Sequence, residues 1–227
     1  MLGGRPGQPR ALFRIAQVVP EQHALPDGYP YRPGRTSLYV LQYKARDGEW
    51  KPFCAPDAQG ERTAVVLPGT YDAQNKARAD AARVTFACTR GVLAKCYRWG
   101  YRPWLGERLA GAHQACVRMA MADYCGDGRS WTRDGTLIDK WDTLVPPVQR
   151  RDGTDRDMFF EAAWTPAGAA CLAHRRWTGL PEEFYPQRCA RPLPSCASAQ
   201  EARRRFGDPL LFNDSRHNRL GDHQQRD

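Results

Sequence analysis

The chain contains no run approaching the roughly 18 consecutive apolar residues that a membrane-spanning helix needs, so no such helix is expected. It is poor in lysine: five residues (Lys44, Lys51, Lys76, Lys95, Lys140) against 29 arginines. Five histidines and four methionines leave little material for a histidine-rich metal site or a methionine-rich groove. No CxxC occurs, which argues against a zinc ribbon or finger. No GxSxG, HExxH, GxGxxG or P-loop is present, so the usual signatures of acyl transfer, zinc hydrolysis and nucleotide binding are missing. No cofactor is therefore assigned. The opening Met1–Arg10 holds Leu2 as its single large apolar side chain and does not read as a secretory leader.

What is present is enough for a core. Of 227 residues, 41% are apolar and 26% charged, which fits one large domain or two small ones and excludes wholesale disorder. The 34 basic residues outweigh 25 acidic ones, for a net charge of +9. That balance points either to an anion-binding surface or to the arginine- and alanine-rich usage of GC-rich codons. The charge is spread out. Residues 181–227 carry eight basic and seven acidic side chains, and the longest basic run is Arg203–Arg205. A nucleic-acid stripe would be clustered, so no specific nucleic-acid signal is read and an anionic or glycan ligand remains the partner class.

The first half reads as β. Strands are expected over Ala11–Val19, Ser37–Lys44, Trp50–Cys54, Thr63–Leu67, Arg83–Cys88 and Gly91–Trp99, with Asp47-Gly48 as a hairpin turn. Residues 20–36, with four prolines, read as a loop. From Gly111 the pattern changes. Ala112, Cys116, Met119, Ala120 and Asp123 share one face of a helix over Gly111–Cys125, with Gly126 as its stop. Strands follow over Thr136–Trp141 and Met158–Trp164. Thr165-Pro166 reads as an N-cap opening a second helix, Pro166 to about Trp177. The expected fold is α+β, a β-rich N-terminal part packed against two helices and stabilised by disulfides. A flexible lead (1–10), one domain (11–180) and a flexible Pro/Arg-rich tail (181–227) complete the organisation.

The eight cysteines (Cys54, Cys88, Cys96, Cys116, Cys125, Cys171, Cys189, Cys196) are an even set at wide spacing, which suggests a disulfide framework made in an oxidising compartment. Extracellular, periplasmic or outer-envelope placement is therefore expected, with the leader absent from this chain and a cytoplasmic location as the alternative. Cys116 and Cys125, about 13 Å apart along one helix, cannot bond to each other and are expected to staple that helix to different strands or stay free. Cys88 and Cys96 could meet across a hairpin, and Cys189 and Cys196 within the tail. The remaining pairings are open.

Three chemical readings compete with the framework. His113 and Cys116 on one helix, with Cys171 and His174 on the other, have the i, i+3 spacing to offer Cys2His2 to zinc. Cys125 could act as a nucleophile, although a helix C-terminus raises a thiol pKa and His113 lies about 15 Å away along the same helix; His174 or Arg118 would then have to assist. Asp127, Asp134 and Asp139 flank glycine turns but lack the calcium-loop spacing. Trp99, Trp104 and Trp131 among arginines could stack on sugars or bases, or simply fill the core.

Ala122-Asp123-Tyr124-Cys125 closes the first helix and is followed by Gly126-Asp127-Gly128. Cys88-Thr89-Arg90-Gly91, Lys95-Cys96-Tyr97-Arg98-Trp99-Gly100-Tyr101-Arg102-Pro103-Trp104, His113-Gln114-Ala115-Cys116-Val117-Arg118-Met119, Asp134-Gly135-Thr136 and Glu161-Ala162-Ala163-Trp164 occur with it in order. Over about residues 37–177 the chain resembles the bacterial ADYC domain family, named for that tetrapeptide. The resemblance implies export and disulfides and supplies no reaction. If the tetrapeptide is structural, Asp123 pairs with Arg118 or Arg102 and Cys125 joins a cysteine of the β region. If it is functional, Asp123, Tyr124 and Arg118 line a cleft between the β half and the helix. The leading expectation is an exported, disulfide-stabilised binding or cell-envelope module. The alternatives are a hydrolase using the Asp123–Tyr124–Cys125 neighbourhood and a zinc-stabilised intracellular protein.

Overall fold

The structure, a computed structural model, describes residues 12–21, 37–57, 59–179 and 189–219. The expected lead (1–10) and most of the 20–36 loop lie outside the described residues.

Alternating apolar side chains build a first antiparallel sheet. Its strands are β1 (Phe13–Pro20), β2 (Ser37–Lys44), β3 (Trp50–Pro52), β4 (Thr63–Pro68) and β7 (Val84–Cys88), in the order β1-β2-β4-β7 with β3 also on β2. A short ribbon, β5 (Thr70–Tyr71) with β6 (Ala77–Arg78), hangs from it. Val65, Leu67 and Ala87 turn inward and meet Ala94 and Tyr97 of a helix, α1 (Val92–Arg98). That helix replaces the strand expected over Gly91–Trp99. The run Val92-Leu93-Ala94-Lys95-Cys96-Tyr97 is too uniformly apolar for its period to separate helix from strand. Tertiary packing decides: as a helix it places Ala94 and Tyr97 on the sheet, while a disulfide joins Cys96 to Cys116.

A 3-10 turn (Pro103–Leu105) leads into α2 (Glu107–Met121). Nine of its residues, including Cys116, Val117, Arg118 and Met119, are buried, well beyond the single face read from the sequence. It is wedged between α1 and a second antiparallel sheet. That sheet comprises β8 (Ile138–Asp142), β9 (Phe159–Thr165), β10 (Gly168–Leu172) and β12 (Leu211–Ser215), in the order β10-β9-β12-β8. A parallel pair, β11 (Trp177–Thr178) and β13 (Asn218–Arg219), and α3 (Ala199–Phe206) complete the chain. The α+β expectation with disulfides is met, with three α-helices among the described residues rather than two.

The helix expected over Pro166–Trp177 is a hairpin. Thr165 and Pro166 form its turn rather than a cap: the Thr165 hydroxyl accepts from the Ala167 N–H (3.2 Å) and donates to the Gly168 carbonyl (3.1 Å), and β10 returns along β9. The expected flexible tail is also corrected between residues 189 and 219. There α3 is capped by Ser198, whose hydroxyl accepts from the Glu201 N–H, and all five residues of β12 are buried between β9 and β8. Asn213, Asp214 and Ser215 disguised this strand as tail, since a polar run shows no apolar alternation.

All eight cysteines are joined: Cys54–Cys88, Cys96–Cys116, Cys125–Cys189 and Cys171–Cys196. The Cys88–Cys96 and Cys189–Cys196 pairings considered from sequence do not form. Cys116 bonds to a helix rather than a strand. Cys125 lies beyond the end of α2 and bonds to Cys189, outside the β region.

Candidate functional site

The Ala122–Cys125 tetrapeptide sits where α2 stops. Ala122 adopts the left-handed conformation (φ 52°, ψ 35°), and the Asp123 N–H returns to the Arg118 carbonyl at 2.8 Å, closing the helix. Glycine is the usual residue there, but the Ala122 methyl is buried in the main core. The Asp123 carboxylate accepts the N–H groups of Asp127 (3.1 Å) and Gly128 (2.8 Å) and the Arg118 guanidinium (2.6 Å). Arg118 also donates to the carbonyls of Gln74 (2.8 Å) and Pro166 (3.4 Å), tying three loops together. Burial pushes the Asp123 carboxyl up, against the pull of Arg118 and the Gly128 N–H. Close behind, Gly126 is irreplaceable in outline: a Cβ there would lie 1.8 Å from the Ala167 carbonyl oxygen.

Tyr124 points into a second buried network. Its hydroxyl donates to Glu161 (3.1 Å) and accepts the Arg176 N–H (3.0 Å), and its ring stacks on Trp164 with centroids 5.4 Å apart. Arg176 grips Glu161 with Nε (2.9 Å) and Nη2 (3.0 Å) and donates to the Met119 carbonyl (2.9 Å). Asn213 of β12 donates to Glu161 (2.8 Å) and accepts from the Trp164 indole (2.7 Å). Burial alone would raise the Glu161 pKa, but the Arg176 charge and the hydrogen bonds hold it below the usual range. Burial first, then Glu161, keeps the Tyr124 phenol well above its ordinary value. Of the sequence-nominated quartet, Arg118, Asp123 and Tyr124 are thus brought together but face inward, and the Cys125 sulfur is spent in a disulfide. Of the two partners considered for Asp123, the structure selects Arg118. Arg102 instead lies over the Tyr97 ring, 5.2 Å from its centroid.

The zinc set is not assembled. Cys116 and Cys171 are both in disulfides, and each bonds a different segment. His113 is buried, edge-on to Tyr71, with Nε2 3.0 Å from the Leu93 carbonyl, and burial lowers its pKa to about 4. His174 lies on the segment after β10, its ring nitrogens 3.1 and 3.2 Å from the Arg175 and Phe159 carbonyls. Among the described residues no three His, Cys, Asp or Glu side chains converge as a metal site. Asp127 accepts from the Arg129 N–H in a turn, and Asp139, on β8, accepts from the Asp152 and Gly153 N–H groups of a loop distant in the chain.

An open cleft lies elsewhere, where the β7–α1 junction and the loop after β3 face the segment leading into β8. An inner cavity of about 270 Å³ is walled by Trp99, Thr132, Arg133, Ile138, Lys140 and Arg176. An outer one of about 600 Å³ is walled by Asp57, Thr89, Arg90 and Arg98. Lys95, Trp99, Asp134 and Gly135 border both. Six cations and two carboxylates, Asp57 and Asp134, border the cleft, with Arg176 already paired to Glu161 and Arg98 to Glu21. Lys140 lies over Trp99, 4.3 Å from the ring centroid, and burial lowers its pKa. Of the tryptophans singled out, Trp99 lines this cleft. Trp131 is buried edge-on to Tyr124, and Trp104 is exposed with its indole N–H on the Tyr97 hydroxyl.

Comparison with known families matches the ADYC domain over residues 13–178. The chain belongs to the ADYC domain family. No curated protein and no solved structure matches it. The match stops before residue 189, yet β12 fills the middle of the ADYC domain's second sheet. In this ADYC domain the eponymous tetrapeptide is a helix stop, a loop clamp, a core hydrogen bond and a disulfide in succession. The cleft residues Lys95, Lys140 and Arg176 were not among the sequence candidates. Lysine scarcity was the available signal, since two of only five lysines border the cleft.

Proposed function

We propose that this ADYC domain is an exported module of the bacterial cell envelope or its exterior, built to bind a ligand in the basic cleft rather than to perform chemistry at its tetrapeptide. The observation that carries the reading is the division of labour between the two regions. Every cysteine is committed to a cross-link, and the Asp123–Tyr124–Cys125 neighbourhood spends its polar atoms on the fold. The cleft, by contrast, gathers four cations that lack carboxylate partners, beside Arg176 and Arg98, which pair with Glu161 and Glu21. Arg90, Lys95, Arg133 and Lys140 make no ion pair among the described residues. Four disulfides, one at each sheet, one between α1 and α2 and one from the segment after α2, suit an oxidising compartment, where they persist.

The test is intact mass under a thiol-alkylating agent, on the full chain made in a periplasm and in a reducing cytosol. Protein from the periplasm is expected to gain no adduct until reduced, and then eight. The cytosolic preparation should be less stable. A native, active form with a fast-labelling Cys125 would overturn the reading and restore the hydrolase alternative.

A further inference from the structure

We propose that the cleft binds a small anionic carbohydrate, one or two sugar rings carrying a carboxylate or phosphate, with the anion on Lys140 and ring hydroxyls on Asp134 and Thr132. The proposal rests on the binding-module reading above and gives it a ligand class.

Size comes first. The outer cavity, about 600 Å³, falls in the range of small-molecule sites, and the inner one, about 270 Å³, lies just below that range and shares four wall residues with it. Polar and apolar surface line both in comparable amounts, which suits a ligand carrying both kinds of group.

The anion follows from Lys140. Its ammonium is half-buried on the Trp99 ring, and no carboxylate lies within ion-pair distance among the described residues. The oxygens of neighbouring Asp139 accept the N–H groups of Asp152 and Gly153, and its charge offsets only part of the cost of burying the ammonium. Burial disfavours the charged form of this amine, so the fold holds a cation in a place that costs free energy, and an anion at that point would offset the cost. Lys95, on the exposed face of α1, borders both cavities and extends the positive wall toward the mouth.

The hydroxyls follow from the remaining polar groups. Asp134 borders both cavities and makes no hydrogen bond or ion pair among the described residues. A bare polyanion would be repelled by that carboxylate, whereas a hydroxylated ligand donates to it. Thr132 borders the inner cavity, and its hydroxyl oxygen is buried with no hydrogen-bond partner, which native structures rarely leave so; a rotation about its Cα–Cβ bond is what would bring that hydroxyl to the ligand. A ligand offering an anion, several hydroxyls and a flat C–H face for the Trp99 indole satisfies all three walls, and an acidic or phosphorylated sugar has that chemistry.

The experiment is amide and indole chemical-shift mapping on the oxidised full chain, with glucuronate, glucose 6-phosphate, glucose, citrate and inorganic phosphate as probes. Glucuronate or glucose 6-phosphate is expected to move the Trp99 indole and the Thr132, Asp134 and Lys140 amides, and to bind at least tenfold more tightly than glucose. Lys140→Ala should weaken that binding at least tenfold and Asp134→Asn several-fold. Lys95→Ala, on an exposed helix face, should weaken it without touching the fold. Citrate or phosphate binding as tightly as the sugar acids would overturn the carbohydrate class while leaving a binding module in place. If no probe moves a cleft resonance, the inference falls, and the module reading is then decided by the thiol test alone.

Discussion

Asp123 and His113 show how much of this protein's ionisable chemistry serves the fold. Asp123 collects two backbone N–H groups and the Arg118 guanidinium at a helix end, so its charge orders a loop. His113 is 1% exposed and titrates near 4 in the fold because burial disfavours the imidazolium, against about 6.5 in an unfolded chain. Between those values the unfolded chain binds the extra proton, so stability is complete above pH 6.5 and declines as pH falls toward 4. The loss expected from this residue is roughly 3 kcal/mol across that window. Urea unfolding of the wild type and His113→Gln at pH 7 and pH 5 checks it: the variant should lose less stability on acidification. Asp123, Asp142 and Asp214 have raised pKa values from burial and so contribute with the opposite sign, equally in both proteins. Equal pH slopes in the two proteins would show that His113 is not the titrating group.

Secondary-structure elements meet at the Glu161–Arg176 pair. Glu161 on β9 and Arg176 just before β11 are 0% and 1% exposed, and between them they reach Tyr124, the C-terminal carbonyls of α2 and Asn213 of β12. Removing one buried partner leaves an uncompensated charge and costs about 3–5 kcal/mol, while replacing both with apolar groups of similar volume costs far less. Glu161→Leu is accordingly expected to be severely destabilised in denaturant unfolding. The double variant Glu161→Leu/Arg176→Met should recover much of that loss. A double variant as unstable as the sum of its parts would mean that the hydrogen bonds to Asn213 and Tyr124, not the ion pair, dominate.

For the whole molecule, the decisive feature is that the chain after residue 188 returns to the centre of the second sheet. Without it β9 and β8 lose their shared neighbour, the Glu161 network loses Asn213, and Cys125 and Cys171 lose their disulfide partners. Each lost cross-link removes about 2–4 kcal/mol, a large share of a typical domain's stability. A chain ending at residue 188 contains the whole ADYC match, residues 13–178, yet is expected to fail to give a native near-ultraviolet circular dichroism spectrum and cooperative thermal unfolding. Cooperative unfolding of that truncated chain would show instead that the matched region folds alone.

Several features were legible in the residues themselves. Alternation over Ser37–Lys44 and the short apolar run Thr63–Leu67 before Pro68-Gly69 announced strands, the spacing over Gly111–Cys125 announced most of α2, which in the structure runs Glu107–Met121, and eight widely spaced cysteines announced a framework. Ser198 with Glu201 carried a capping signature that would have located α3 in the supposed tail. Local pattern failed where burial is satisfied by distant partners. β12 is polar because Glu161, Trp164 and Arg151 supply its hydrogen bonds, and Thr165-Pro166 mimics a helix cap but closes a hairpin. Cysteine pairing and the cleft depend on residues far apart in the chain, so only the tertiary structure could choose among the pairings or bring Lys140 onto Trp99. Sequence by itself determined the fold class, the disulfide chemistry and the family. The packing of the first sheet on α1, and of the second sheet on α2, decided that the named tetrapeptide faces inward and that the open chemistry lies in the lysine-bordered cleft, because burial and proximity are properties of the whole chain and not of any window along it.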